Sequence, residues 1–286
     1  ELHEQWNMMN FILLSQSGAY SYLHLGEFLP QAMIHRAGDV RNLVKALDPR
    51  IGKIQIKTES GTELSFDNVV LSESSPIQGV LVLHRGQVVY EQYPGMREND
   101  SHVWMSVAKP FTSLLIGQLE SEGKIDINNT LGAYMPRVRG TNWEDLKIID
   151  ALNMQTGLDV VEGRAQRGDP SSMISRFFAA EVGIPDFEGN IRTHNEVLLS
   201  AGVQRPPAEA FEYSSAITQM LGLLIEDITN KRLAELISER IWRHAGMTGD
   251  ATLTLSPQGN GIIHGLVSSR LIDLARVGLL YTPSWS

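Results

Sequence analysis

The stretch IQGVLVLHRGQVVYEQY, residues 77–93, limits the possible folds of this chain more than any other. Its two apolar runs meet around Arg85-Gly86, a pair suited to a tight turn, so the segment predicts an antiparallel hairpin. A two-stranded ribbon is marginal in water, and these strands therefore need further partners. Upstream, IGKIQIK from Ile51 and TELSF alternate in the manner of short strands. After Lys109 the texture turns helical. LKIIDALNMQTGL predicts a helix ending at Gly157, and SSAITQMLGLLIEDITN and LAELISERIWRHAGM carry helical spacing. Strands followed by a long helical block imply an α+β chain. Residues 1–48 mix aromatic and amphipathic segments and are expected to form a wrapping arm. That arm closes in GDVRNLVKALDPR, expected to be a short helix stopped at Asp48-Pro49. Residues 159–170 and 183–210, rich in Gly, Pro and charge, are expected as loops over the surface or a cleft. The 286 residues suffice for one domain, divided into an arm (1–50), sheet strands (51–100) and a mainly helical lobe (101–286).

A net charge of −9 argues against a nucleic-acid partner, because phosphate binding relies on clustered Lys and Arg. Small molecules fit better. The chain has no cysteine, which removes disulfides, thiol catalysis and cysteine-ligated zinc. The compartment stays open, with a periplasmic or secreted setting favoured over the cytoplasm. No apolar run is long enough to span a membrane, and MNFILL near the start is too short for a signal segment and lacks a basic flank. The histidines His84, His102, His194, His244 and His264 show no metal-ligand spacing, and neither H-E-x-x-H nor G-x-S-x-G occurs. Structural roles are expected for them, with no metal and no cofactor.

Ser-x-x-Lys appears twice, at Ser106/Lys109 and at Ser121/Lys124. Context separates the pairs. Trp104 and Met105 precede Ser106, and an apolar-periodic run through Phe111, Leu115 and Leu119 follows it, which puts Ser106 where a helix enters the core. Ser121 and Lys124 sit in a polar last turn beside Gly123, a solvated position. A serine hydroxyl needs an adjacent base to act as a nucleophile, and a lysine three residues on shares its helix face. Pro110 lacks the N–H that would bond the Ser106 carbonyl and biases Lys109 away from helical angles, so the first turn is expected to be tight or irregular.

Taken in order, SVAKPFTSLLIGQL, ALNMQTGL, PPAEAFEYSSAITQMLGLLIED, LISERIWRHAGM and GLVSSRLIDLARVGLL, together with the hairpin, resemble the serine β-lactamase-like family. This family includes class C β-lactamases, DD-peptidases, esterases and hydrolases of the 6-aminohexanoate-dimer type. The resemblance implies an antiparallel sheet flanked by helices plus a mainly helical lobe. It also implies Ser106 as the acylated nucleophile, Lys109 as its proton partner and Tyr213 as the third catalytic member, with the Ser106 N–H as one oxyanion donor. The two last helices of that pattern are expected at LISERIWRHAGM and GLVSSRLIDLARVGLL.

Two departures bear on specificity. The family's Tyr-x-Asn stands here as Tyr213-Ser214-Ser215, so a hydroxyl replaces the amide expected to hold a substrate carbonyl. Ser215 is therefore a candidate substrate contact or a helix cap, and β-lactam or peptidoglycan specificity is disfavoured. The sequence also ends at YTPSWS, before the family's closing strands. A C-terminal segment or a second chain is expected to complete the sheet and the oxyanion hole. The expected activity is a carboxylesterase or linear-amide hydrolase acting on a small molecule. An acyltransferase of the same fold and a non-catalytic binding relative remain the alternatives.

Overall fold

A computed structural model describes residues 2–7, 10–11 and 15–285. Of the MNFILL segment, only Asn10 and Phe11 fall within them. The strands form three sheets, all antiparallel. The largest has four strands in the order β1 (Gln31–Ile34), β7 (Ala251–Thr254), β8 (Val267–Ser269), β6 (His102–Val103). A small hairpin joins β2 (Gln55–Lys57) to β3 (Glu63–Ser65). The third sheet is the hairpin expected at residues 77–93, with β4 (Val80–His84) paired to β5 (Gln87–Gln92). Its turn has positive φ at both Arg85 (49°) and Gly86 (77°), the geometry that matches the right-handed twist of the strands. Among the described residues, the other edge of β4 pairs with no strand.

The segment expected as a helix before Asp48 instead runs along β5. Val88 N donates to Val44 O, and Ala46 N and Asp48 N donate to Val88 O and Val89 O, each at 2.9 Å. Asp48 begins a helical turn there instead of ending one: its carboxylate accepts from Arg50 N at 2.9 Å, and Pro49 takes the first helical position. The arm thus wraps the hairpin and also contributes β1 to the four-stranded sheet.

Among the helices of the described residues, those that frame the site and its surroundings are α1 (Gln16–Leu23), α2 (Pro110–Ser121), α3 (Met173–Val182), α4 (His194–Leu199), α5 (Ser215–Thr229) and α6 (Leu271–Leu280). Every residue of α5 from Ser215 to Ile225 is buried, the mark of a helix enclosed on all sides. Phe111, Leu115, Ile116 and Leu119 of α2 are buried in the same core, and α2 packs on α5. On the hairpin side, α6 packs against β4.

Five local expectations change, the first being a short helix, Arg164–Gly168, within the 159–170 segment expected as a loop. The helix in LKIIDALNMQTGL spans only Ile148–Leu152. Gly157 lies beyond it at φ 68°, where a Cβ would stand 2.3 Å from Arg205 O, so a close backbone crossing requires the glycine. Within 183–210, α4 forms because Thr193 and Glu196 make a reciprocal capping box. LISERIWRHAGM continues the helix Leu233–Ile237 as a π-helical turn, Ser238–Trp242. The start of GLVSSRLIDLARVGLL is strand β8, and helix α6 begins only at Leu271.

One buried ion pair ties the arm to this frame. The fully buried Asp273 accepts from Thr248 N (2.8 Å), Thr248 Oγ1 (2.8 Å), Gly249 N (3.0 Å) and Arg276 Nη1 (3.0 Å). Arg276 in turn donates to Arg41 O through Nε and Nη2, at 3.0 and 2.8 Å. Removing one member of such a pair leaves the other charge buried and unpaired, a loss of about 3–5 kcal/mol. Asp273→Ala is expected to lower unfolding free energy by about that amount in urea titrations; a loss below about 1 kcal/mol would show that the pair is not structural.

Candidate active site

Strand β6 leads directly into the serine. Trp104 is buried, its backbone N donating to Val267 O (2.8 Å) and its indole Nε1 to Ser269 Oγ (2.9 Å). Met105 then adopts φ 51°, a left-handed conformation that costs a side-chain-bearing residue about 1–3 kcal/mol. The sharp turn leaves Ser106 exposed while Trp104 and Ala108 stay buried. Residues Met105–Ala108 form a 3₁₀ turn, with Lys109 N donating to Ser106 O at 3.1 Å, and α2 follows from Pro110. The expected tight first turn is present. Lys109 itself keeps helical angles (φ −53°, ψ −38°), because the 3₁₀ turn absorbs the proline's missing hydrogen bond.

Three oxygens surround Lys109 Nζ: Ser106 Oγ at 3.1 Å, Ser215 Oγ at 3.0 Å and the His264 carbonyl at 2.8 Å. An ammonium has three protons to give, and here each has an acceptor. A neutral amine would keep the Ser215 and His264 bonds and turn its lone pair toward Ser106, so the same cage accommodates proton transfer from the serine. The Tyr213 ring lies against this group, with Lys109 Nζ 5.0 Å from its centroid. Ser106, Lys109, Tyr213 and Ser215, far apart in sequence, therefore meet. Ser121 does not join them: it donates to Gln118 O, and Lys124 pairs with Glu122 at 2.7 Å.

Position 215 has a defined part in this geometry. The cap of α5 is Ser214, whose side chain accepts from Ile217 N, while Ser215 is buried and turned toward Lys109. Glu162 holds Ser215 in place and escaped sequence analysis, since it lies outside every motif. Its Oε2 accepts from Ser215 N at 2.8 Å, its own N donates to Tyr213 O at 2.9 Å, and its Oε1 pairs with Arg167. Only its place after the apolar run LDVV hinted at burial. A cavity of about 80 Å³ opens beside Ser106, walled by Met105, Glu162, Phe178, Glu181, Ser215 and His264 among others. Glu181 and His264 pair across it, with His264 Nε2 2.9 Å from Glu181 Oε2.

The Beta-lactamase family profile matches residues 72–270, which include every group named at this site. The chain belongs to that family. Among curated proteins, the 6-aminohexanoate-dimer hydrolase of Paenarthrobacter ureafaciens is 28% identical over 265 residues, or 91% of this chain and 63% of the relative. Among solved structures, a Bacillus anthracis protein provisionally named a 6-aminohexanoate-dimer hydrolase superposes with a TM-score of 0.80 at 24% identity, over 93% of this chain and 70% of that one. EstCE1, described as a hydrolase with promiscuous acyltransferase activity, shares the fold at a TM-score of 0.52 and 16% identity, over 70% of this chain and 65% of its own. The chain thus spans less than two thirds of the length of its curated relative.

Within this Beta-lactamase-family site, Glu162 is expected to act through Ser215. Glu162→Gln keeps an oxygen for Ser215 N and should lose little, whereas Glu162→Ala leaves a buried N–H unpaired at about 1–3 kcal/mol. Melting curves should therefore separate the two variants. Equal behaviour would show that the Ser215 backbone does not depend on this carboxylate.

Proposed function

We propose that the chain acts as a serine hydrolase on an ester or a linear amide, through an acyl-enzyme on Ser106. The observation that carries this reading is the 3.1 Å contact between Lys109 Nζ and Ser106 Oγ inside a cage of two further acceptors. Lys109 takes the Ser106 proton as Oγ adds to the substrate carbonyl. The same proton passes to the departing alkoxide or amine as the tetrahedral intermediate collapses. Water then adds to the acyl-enzyme as Lys109 takes one of its protons, and Lys109 returns that proton to Ser106 Oγ as the second tetrahedral intermediate collapses and releases the acid. The Ser106 N–H lies in the first turn of the 3₁₀ segment, where N–H groups lack partners within the helix, and it serves as one oxyanion donor. Tyr213, packed on Lys109, is the third catalytic member and adjusts the lysine's proton transfers.

The substrate class follows from two features. The name of the Paenarthrobacter relative points to a short linear amide. At position 215 the side chain is a hydroxyl already bonded to Lys109, with no amide to grip a β-lactam or peptide carbonyl. Short esters and linear amides are accordingly ranked ahead of β-lactams. The unpaired edge of β4 supports a further part of the proposal: a strand from outside residues 1–286 completes that sheet and brings a second oxyanion donor.

A fluorophosphonate probe with intact-mass detection tests the nucleophile. Wild type and Ser121→Ala should gain one adduct, and Ser106→Ala none; labelling of Ser106→Ala at the wild-type rate would refute the assignment. Lys109→Ala is expected to lower kcat/KM for a p-nitrophenyl ester by about 10²-fold or more, the usual scale for acid–base catalysis. Faster turnover of a chromogenic cephalosporin than of that ester would overturn the substrate ranking.

A further inference from the structure

Behind the serine lies a cluster that the hydrolytic chemistry does not use. Glu181 comes from the last turn of α3, His194 from the first position of α4, and His264 from the loop between β7 and β8. All three are buried, with relative exposures of 2%, 0% and 5%, and one ligating atom from each lies within 4.8 Å of the others. Phe177 packs its ring 4.5 Å from His194 and 5.5 Å from His264, so the group sits in an aromatic wall shielded from bulk water.

His194 is the anomaly. Both of its ring nitrogens are buried and have no hydrogen-bond partner among the described residues. A buried polar atom without a partner costs about 1–3 kcal/mol, and such a group calls for an occupant or a reason. A merely structural position would be better filled by phenylalanine.

We propose that Glu181, His194 and His264 bind one divalent transition-metal ion of the zinc type, in a site that opens onto the cavity beside Ser106. Two imidazoles and a carboxylate are a donor set suited to such ions, and they leave a coordination position for water. Bonds of about 2.0–2.2 Å in a tetrahedron place ligand atoms roughly 3.3 Å apart. The 2.9 Å between His264 Nε2 and Glu181 Oε2 and the 4.8 Å limit on the whole set bracket that spacing, so small side-chain shifts suffice. His264 would offer Nε2 as a lone pair with its proton on Nδ1. Glu181 and His264 both wall the cavity, which supplies the entry path and room for the water ligand. The site does not depend on Ser106 being a nucleophile.

Titrating the metal-stripped full chain with Co²⁺ and Zn²⁺, by calorimetry and by visible absorption of bound Co²⁺, tests the proposal. Wild type and Ser106→Ala should each bind one ion with a dissociation constant in the micromolar range or tighter, with cobalt d–d bands in the visible. Loss of a direct ligand should weaken binding at least as much as the about 10- to 100-fold that outer-shell partners cost, so His194→Phe and Glu181→Gln should each bind at least about 100-fold more weakly. His194→Phe should melt no lower than metal-free wild type, since the ring volume is kept and two orphaned atoms are removed; if it fails to fold, Glu181→Gln decides. Absence of stoichiometric binding by wild type, or binding unchanged in the decisive variant, would overturn the proposal.

Discussion

The cage around Lys109 Nζ is the interaction on which the rest of this site depends. Its acceptors come from three places: the 3₁₀ turn after β6, the start of α5, and the loop between β7 and β8. None of these can shift without changing where the lysine's protons point. The frame is accordingly rigid at each: Trp104 is bonded to both Val267 and Ser269, Ser215 is pinned through its N–H by Glu162, and Gly222 on α5 lets Ile263 approach so closely that a Cβ there would lie 2.8 Å from its Cγ2. Core packing of α2 on α5 therefore sets the distance between Ser106 and Ser215 as much as any bond in the site does.

Strain and burial divide the work around the serine. Met105 is held left-handed between the buried Trp104 before it and the buried Ala108 at the end of the turn, and the result is an exposed Ser106 hydroxyl at the mouth of a small cavity. Carboxylates near that cavity are already engaged: Glu162 with Ser215 N and Arg167, Glu181 with His264. Paired in this way, they shape the cavity wall.

Much of this was legible in the sequence, for identifiable reasons. The hairpin could be read because Arg85-Gly86 fixes its turn, and the serine-bearing helix because apolar periodicity resumes right after Lys109. The family pattern offered Tyr213 as a third catalytic member and Ser215 as a substrate contact or helix cap, and the fold brings both beside that lysine from 104 and 106 residues further along the chain. What could not be read depends on tertiary contacts. Residues 44–48 carry helical spacing but find open backbone groups on β5, and the ladder prevails over local preference. Glu162 and the His264 carbonyl have no motif, because a backbone acceptor can come from any residue type. His194 and His264 lie 70 residues apart and meet only after α3, α4 and the β7–β8 loop have packed, so spacing rules for metal ligands pass over them. The Thr193–Glu196 box was visible in the sequence, but the surrounding Gly, Pro and charge obscured it.

The central proposal is that the caged lysine takes the Ser106 proton as Oγ adds to the carbonyl carbon of a substrate. Acid-quenching a slow ester during turnover and mapping the acyl mass onto peptides tests it most directly. The account predicts a stoichiometric acyl group on the peptide spanning Ser106, appearing before product and decaying with the turnover rate. Steady turnover with no covalent species, or an acyl group on any other residue, would contradict it.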